Sequence, residues 1–418
     1  MTHTTPQMVM PESFNRDMSL TYVYADEAFT SVTDPFRFDQ LAPTGAIKST
    51  AADMARYMIA HLQLGAYQGA QILKTETARL MHLQSFTQDP RLRGWAHGFE
   101  EYRLENPQVI GHGGVTYHFY SQMALVPEAN LGLFVVDNTS TGRELVDSLV
   151  ETFIDHYFPP SADTSPAPLM NSSTDLRSIA GSYVPTPFSF GTHAKLRNVI
   201  MIFKVQPQAD GSLLLSSLLG SKRYLEVEPL FFQTENRTRS NYMDYRMDHL
   251  SFHLDSDGKA QYMLFDNSGF QKVPWYETLE FSLAFSVIIL LLFLSVPVAA
   301  IIWRASPRLR EQAAKQPRNA RLARWLMWLM VALYFLSLFG MFSAFATENA
   351  VLFGKAYAYD AGRFLAILVA LLVVGVVGFT VLAWRQGFWS LAWRIHYTLV
   401  ALGAVGVLWW YFDWKVIG

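Results

Sequence analysis

Four consecutive residues, Gly111-His112-Gly113-Gly114, have the side chains and the spacing that a substrate-binding strand needs. The imidazole of His112 can donate a hydrogen bond or a positive charge to a bound molecule. Gly113 and Gly114 have no side chains, so the backbone of a substrate could approach the strand closely. A Gly-Gly pair between two β-patterned runs is equally typical of a hairpin turn, and the motif alone leaves both interpretations open.

The rest of the chain offers few other residues for chemistry. It has no cysteine, which excludes disulfides, thiolate metal sites and a cysteine nucleophile. His61, His82, His97 and His118 lack metal-ligand spacing and are expected on the surface or in the core, so we expect no metal and no cofactor. No Gly-x-Ser-x-Gly occurs, but a serine that meets its base only in the folded chain would escape sequence analysis.

Charge and apolar content point to a membrane protein and give no basis for binding nucleic acid. The 33 basic and 35 acidic residues leave a net charge of −2, without the basic surplus that nucleic acid attracts. Apolar residues concentrate after Glu280, where four runs reach the roughly 20 residues that cross a bilayer. The four runs are Phe281–Trp303, Trp325–Ala346, Phe364–Trp384 and Leu391–Phe412. They predict four transmembrane helices, with the lipid bilayer as a partner.

Loop charges predict the orientation of these helices. The joint 304–324 holds seven basic residues against one acid, Glu311, which places it in the cytoplasm of a bacterial cell and the soluble part outside, in the periplasm or the extracellular space. The spans hold almost no ionisable groups, which favours an anchor over a transporter. About 280 residues would then have to be exported, yet Met1–Glu27 has no export signal. Either the orientation is wrong or the native protein starts earlier.

The soluble part is predicted to be α+β. Residues 1–158 mix helices and strands, 159–174 form a linker, 175–277 form a small antiparallel β unit and 278–418 form the membrane region. Thr50–Asp53 is a capping-box pattern that starts a helix, and a second helix fits Glu76–Leu83. Leu145, Leu149, Phe153 and Tyr157 mark the buried face of a third. Strands are expected at Phe99–Leu104, Gln108–His112, Phe119–Val126, Gly132–Asp137, Leu213–Ser217, Tyr224–Val227, Leu250–Leu254 and Gln261–Phe265, with a turn at Pro127–Asn130.

Several stretches of residues 1–158 resemble one family. Residues 43–58, P-T-G-A-I-K-S-T-A-A-D-M-A-R-Y-M, resemble the P-x-G-x-x-S-T-A-x-D-M-A-R stretch of serine hydrolases related to β-lactamases and penicillin-binding proteins. Residues 111–138 resemble that family's third motif strand and the two strands after it, and Met1–Thr4 resembles its G-M-x-x-T stretch. The end of the β unit, Val273–Tyr276, followed by several spans is similar to a membrane-attached branch. The implied fold is the C-terminal half of a β-lactamase/transpeptidase-like domain.

The resemblance also implies roles for individual residues. His112 fills the first position of the third motif, which directs a hydrogen bond or charge toward the substrate carboxylate and the catalytic serine. Gly113 and Gly114 would let the substrate lie along the strand, and the N–H of Val115 would enter the oxyanion hole. The second oxyanion donor would be the N–H of the nucleophilic serine, which the family places in Ser-x-x-Lys, with Tyr-x-Asn assisting. Our interpretation is that both motifs are missing from this chain, which predicts that it lacks the nucleophile.

Two hypotheses follow. In the first, the chain is an N-terminally truncated, membrane-anchored serine hydrolase that is inactive by itself, and its parent acts on a β-lactam, a D-amino peptide or an ester. In the second, it is a non-catalytic membrane protein whose extracytoplasmic part binds a peptidoglycan fragment or a protein partner. A remnant of the fold would expose apolar faces and an unpaired strand edge, which argues against the second.

Overall fold

The computed structural model describes residues 1–7, 11–15, 17–32, 45–103, 107–116, 118–159, 167–169, 174–186, 190–191, 193–218, 220–235, 247–345 and 357–418. The chain divides into two compact units: Met1–Pro187 with Phe203–Lys272, and Phe188–Ile202 with Val273–Gly418. Residues 43 and 44 of the family-like stretch, Leu104, Ala346 and most of the predicted linker lie outside the described residues. The domain boundaries drawn at 158, 174 and 277 remain predictions.

The first unit begins with a mixed α and β segment whose core is a four-stranded antiparallel sheet in the order β5-β6-β7-β8. Its helices are α1 (Glu12–Asn15), α2 (Ala51–Leu62), α3 (Thr75–His82) and α4 (Gly142–Tyr157). Its strands are β1 (Thr21–Ala25), β2 (Ala28–Val32), β3 (Ala66–Tyr67), β4 (Ala70–Gln71), β5 (Glu100–Arg103), β6 (Val109–Thr116), β7 (Phe119–Val126) and β8 (Leu131–Asp137). The α+β prediction is confirmed.

Both faces of this sheet are covered by helices at one end. Alternate residues of a strand point to opposite faces, so Val109 and Ile110 enter different cores. Ile110 packs with Met58 of α2, whereas Val109 packs with Val150 of α4. The sheet is therefore fixed in place by two helices, one on each side.

The predicted face of α4 is wrong by one residue. Val146, Val150 and Ile154 are buried, whereas Leu145 and Tyr157 are exposed. The helix carries two adjacent apolar stripes, and the one that packs on the sheet consists of the β-branched residues Val146, Val150 and Ile154. Sequence periodicity could not choose between stripes that differ by a rotation of 100°.

A buried carboxylate ties the first residues of the chain to α2. Thr50 caps the helix by accepting a hydrogen bond from the N–H of Asp53 (3.2 Å). The Asp53 carboxylate accepts from the backbone N–H of His3 (2.8 Å), from the Thr4 hydroxyl (2.8 Å) and from Arg56 (2.5 Å). Burial alone would raise the pKa of Asp53, but its hydrogen bonds together hold that pKa well below the usual range. The capping pattern therefore also anchors the N-terminal segment.

A buried histidine pair should make this unit sensitive to acid. The side chains of His61 and His82 are almost fully buried and lie 3.3 Å apart, Nδ1 to Nε2. Burial first, and repulsion from His82 second, lower the pKa of His61 to about 4. The unfolded chain takes up this proton near pH 6.5 and the folded chain only near pH 4, so stability present above pH 6.5 is lost as the pH falls toward 4. We expect the loss to be about 2 kcal/mol.

Denaturant unfolding of the full chain in detergent, at pH 7 and pH 4.5, measures this loss. His61→Gln should remove the part of the pH dependence that comes from His61 and keep a polar group there, whereas His82, whose pKa burial also lowers, retains its own part. His97→Gln is the matched control, since His97 is exposed. Equal pH dependence in the wild type and in His61→Gln would contradict the assignment.

The remainder of the first unit is a closed eight-stranded antiparallel barrel that follows a short helix, α5 (Leu176–Ile179). Its strands are β9 (Gly181–Pro185), β10 (Phe203–Pro207), β11 (Leu213–Ser217), β12 (Gly220–Glu228), β13 (Phe231–Thr234), β14 (His249–Leu254), β15 (Ala260–Phe265) and β16 (Ser268–Lys272). Tyr183, Tyr224, Phe232 and Met263 fill the interior, so the barrel has a packed core. The predicted antiparallel β unit is confirmed, although four of its strands and its closure were not predicted.

The segment that precedes β5 holds the barrel against the sheet within the first unit. Arg93 pairs with Asp266 through two hydrogen bonds, of 2.9 and 2.5 Å, and donates to the Tyr102 carbonyl (2.7 Å). Asp89 accepts a hydrogen bond from the Ser251 hydroxyl of β14. Sheet and barrel are thus joined by polar contacts that few local sequence patterns reveal.

The second unit contains four helices that are long and apolar enough to cross a membrane. Its helices are α6 (Leu279–Ala305), the short α7 (Pro307–Ala314), α8 (Arg318–Phe345), α9 (Tyr357–Arg385) and α10 (Leu391–Asp413). Gly340 and Gly362 let α8 and α9 approach closely: a Cβ on Gly340 would lie 2.8 Å from the Ala358 carbonyl oxygen. Small residues commonly form such contacts in membranes. The prediction of four apolar helices of membrane-spanning length is confirmed.

A nearly buried ion pair holds the segment 188–202 within the second unit. Lys195 Nζ lies 2.7 Å from Glu277 and 3.5 Å from the carboxylate of Asp413, whose carbonyl oxygen it also contacts at 3.0 Å. The Lys195 side chain is only 9% exposed. One ammonium group therefore joins the residues just before α6 to the end of α10.

Candidate functional site

The motif Gly111–Gly114 lies inside β6, so the hairpin-turn interpretation is wrong. The chain reverses between Thr116 and Phe119, where His118 has a left-handed backbone (φ 56°). Sheet pairing with β5 reaches only as far as Glu100 opposite Gly111. In the described residues, positions 112–116 pair with β7 alone, which leaves one edge of the strand open.

His112 lies at the start of this open edge. It shares a face of the sheet with Ile110, but Ile110 is fully buried under α2 whereas His112 is exposed. Its Nδ1 is 2.7 Å from the carbonyl oxygen of Gly113, which can only accept, so Nδ1 carries the proton. The other ring nitrogen, Nε2, therefore accepts a hydrogen bond when the ring is neutral and donates one when the ring is charged.

Close packing on β7 also explains why three positions of the motif are glycine. A Cβ on Gly114 would lie 2.6 Å from the Ser121 hydroxyl, and one on Gly113 would lie 2.8 Å from Oε1 of Gln122. A Cβ on Gly111 would overlap the Met123 carbonyl oxygen. The side chain of Val115 is 59% exposed, beyond the part of the strand that the helices cover.

Ser121 is a polar group of this site that sequence analysis missed. It lies opposite Gly114 on β7, on the face that also carries His112. The register of the hairpin would have revealed this position, because pairing Thr116 with Phe119 also pairs residue 114 with residue 121. Among the described residues no hydrogen bond joins His112 to a serine hydroxyl, so His112 is not placed to activate a serine.

A Ser-x-x-Lys string does occur outside the family-like stretches, at Ser256–Lys259, and the sequence interpretation overlooked it. It forms the tight turn between β14 and β15, where Asp255 accepts from the backbone N–H of Lys259 (2.9 Å). All four residues are exposed. An exposed hairpin turn gives neither the burial nor the oriented base that a serine nucleophile requires.

The described residues contain no cluster of three or more histidine or carboxylate side chains that could hold a metal ion. Of the four histidines considered, His61 and His82 are core residues and His97 is exposed.

Comparisons with known proteins agree with the strand motif. Residues 2–150 match the family model described as Beta-lactamase. Penicillin-binding protein 4 of Amycolatopsis lactamdurans is 29% identical over 154 residues, which cover 34% of this chain and 39% of that protein. The chain thus spans well under half the length of this relative.

Solved structures with lower similarity include SurE, with a TM-score of 0.42 and 15% identity over 61% of this chain and 56% of that one. The octameric penicillin-binding protein homologue from Pyrococcus abyssi has a TM-score of 0.31 and 17% identity, over 65% of this chain and 56% of that one.

The family model and the penicillin-binding protein relative support a β-lactamase and penicillin-binding-protein-like domain in the first third of the chain, residues 2–150. The four long apolar helices of the second unit support a membrane-associated protein.

Proposed function

We propose that this chain carries the sheet side of a membrane-anchored serine-hydrolase site, and that by itself it binds an acyl substrate along β6 without cleaving it. The substrate class is a β-lactam, a D-amino peptide or an ester. The observation that carries the proposal is the open edge of β6 at 112–116, with His112 exposed at its start.

His112 is the proposed contact for the substrate carboxylate. The Gly113 carbonyl fixes the imidazole through Nδ1 (2.7 Å), and Nε2 can donate to the substrate carboxylate when the ring carries its second proton. A hydrogen bond from a ring nitrogen to a carboxylate is charge-assisted and stronger than a neutral one. Positioning by a neighbouring carbonyl also lowers the entropy cost of that bond.

Val115 is the proposed donor to the oxyanion. Successive residues of a strand direct their N–H groups to alternate edges, so Gly113 and Val115 share one edge. An N–H on the open edge has no strand partner and can bind the carbonyl oxygen of a substrate. Gly113 and Gly114 keep that edge free of side chains.

Cleavage is not expected from this chain because the site has no activated nucleophile. Acyl transfer in the family uses a serine with a lysine three residues later, and the single Ser-x-x-Lys here lies in an exposed turn of the barrel. The sheet side can therefore bind and polarise a substrate, but in the described residues its Ser121 hydroxyl has no lysine or histidine hydrogen-bonded to it that would activate it. We further propose that the soluble part faces the periplasm or the extracellular space, with 304–324 in the cytoplasm.

A fluorescent penicillin tests binding and cleavage with one probe. The purified full chain in detergent should raise its fluorescence anisotropy, and a D-alanyl-D-alanine peptide should compete. No fluorescent band should remain on a denaturing gel, because no acyl-enzyme forms. His112→Ala should weaken binding about tenfold, the loss of one charge-assisted hydrogen bond.

His97→Ala is the matched control, since His97 is an exposed histidine outside β6, and it should leave binding unchanged. A covalent band would mean that this chain contains a working nucleophile. Absence of binding, or equal weakening by both substitutions, would overturn the proposed site.

A second candidate, the intact hydrolase, is tested on the native protein captured from its own membranes with an antibody to 304–324. A species well above 47.4 kDa that the penicillin labels covalently would favour it. A species at 47.4 kDa without labelling would favour the binding function.

A further inference from the structure

The second unit contains a cavity of about 690 Å³ at the end of the bundle where the chain passes from α6 to α8. That volume is in the range of sites that hold small ligands. Val296, Pro297 and Ala300 of α6 line its apolar side. Three helices of membrane-spanning length, α6, α8 and α10, line the cavity, so lipid is the most abundant molecule that can reach it.

Aromatic side chains form much of the remaining wall. Trp303 and Trp393 face each other with ring centroids 5.2 Å apart, and Trp389 packs against Tyr397 at 5.1 Å. Tryptophan favours the headgroup level of a bilayer, where one part of the ring is apolar and the N–H is wet. The cavity therefore spans the boundary between acyl chains and headgroups.

Three arginines, Arg304, Arg310 and Arg324, line the same cavity. Arg324 lies over the Trp303 ring, 4.6 Å from its centroid. The single acid of the joint, Glu311, is paired with Lys315 at 2.7 Å. In the described part of the unit no carboxylate forms an ion pair with any of the three arginines, so the cavity has a surplus of positive charge.

His396 adds a polar group deeper in the wall. Its Nε2 is 2.7 Å from the Ser295 hydroxyl, and that hydroxyl donates to the Leu292 carbonyl (2.6 Å). Either Nε2 carries a proton and donates it to Ser295, or the Ser295 hydroxyl divides its one proton between the carbonyl and Nε2. The polar groups are thus held in place by the helices, while the arginines remain available to an anion.

We propose that this cavity is a binding site for one anionic glycerophospholipid of the surrounding bilayer. The acyl chain would pack against α6, and the phosphate would accept hydrogen bonds from Arg304, Arg310 and Arg324. Arginine binds phosphate through two parallel N–H groups, which favours it over lysine for this task. A lipid with net negative charge should therefore be retained in preference to a zwitterionic one of equal chain length.

Native mass spectrometry of the full chain tests the proposal. The protein is purified in a neutral detergent with equal amounts of phosphatidylglycerol and phosphatidylcholine of the same acyl chains. We expect one phosphatidylglycerol to be retained selectively. The double substitution Arg304→Gln/Arg324→Gln should lower that selectivity about tenfold or more, since each arginine near a membrane surface contributes about 1 kcal/mol to lipid binding.

Arg308→Gln/Arg318→Gln is the matched control, because both residues belong to the same basic joint and neither lines the cavity. It should leave retention unchanged. Ala300→Phe keeps all arginines and places a ring in the apolar part of the cavity, so it should also lower retention. Circular dichroism and size-exclusion elution confirm that each variant is folded.

If Arg304→Gln/Arg324→Gln and the control Arg308→Gln/Arg318→Gln lower phosphatidylglycerol retention equally, the lipid is attracted by the whole basic joint. That result would overturn the proposed site. Equal retention of both lipids, or of neither, would overturn headgroup recognition. A stronger preference for a polyprenyl phosphate added in competition would reject a bilayer phospholipid as the occupant.

Discussion

Arg93→Met is expected to lower the free energy of unfolding of the first unit by about 3–5 kcal/mol. Arg93 and Asp266 form a two-point ion pair, and their side chains are only 19% and 6% exposed. Removing the guanidinium leaves the Asp266 carboxylate buried beside the carboxylates of Glu101 and Glu151, which line the same small polar pocket. Methionine replaces the volume of the side chain but none of its charge.

Guanidinium unfolding of the full chain in detergent, followed by hydrogen exchange of peptides from β6 and β7, measures this effect. Asp266→Asn in the Arg93→Met background should recover part of the loss, because asparagine is neutral and tolerates the left-handed backbone at this position (φ 46°). Arg223→Met is the control: Arg223 pairs with Asp210, but both side chains are over 40% exposed. We expect Arg223→Met to lower the free energy of unfolding by less than about 1 kcal/mol. Similar losses for Arg93 and Arg223 would show that burial does not decide the effect.

Lys195→Met should destabilise the second unit by a comparable amount, about 3–5 kcal/mol. The substitution leaves the carboxylates of Glu277 and Asp413 facing each other without the ammonium group that lies between them. It also removes the cation from the Trp414 ring, whose centroid is 5.3 Å from Nζ. Thermal unfolding in detergent should show a lower midpoint.

The chain offers a close control for this prediction. Lys315 and Glu311 are also 2.7 Å apart, but their side chains are 75% and 71% exposed. Lys315→Met should therefore cost less than about 0.5 kcal/mol. Glu277→Gln added to Lys195→Met should restore part of the stability. If Lys195→Met and Lys315→Met have the same midpoint, the buried pair does not stabilise the unit.

Features that depend on local periodicity could be predicted from the sequence. The helix after Thr50, the strand Phe119–Val126 and the four spans follow from a cap, an alternation and a run of apolar residues. The family followed from residue strings in 43–58 and 111–138, which do not depend on the packing of distant segments. The family model later matched the same part of the chain.

Features that depend on distant contacts could not be predicted. The barrel closes through β9 and β16, which are separated by all the other strands of the barrel. The choice between Leu145 and Val146 on α4 depends on the sheet that the helix meets. The open edge at 112–116 depends on where β5 ends, and sequence patterns do not mark that point. The proposed site owes its accessibility to this early end of β5.

The contact of Lys195 with the end of α10 also affects how the chain can be assembled. The two residues are 218 positions apart, and Asp413 lies five residues from the end of the printed sequence. Lys195 is synthesised before any of the four spans, whereas Asp413 is synthesised after all of them. During translation the ammonium group has no access to this partner, and a chain that stops before α10 never acquires it. The ion pair therefore distinguishes a finished membrane unit from an interrupted one.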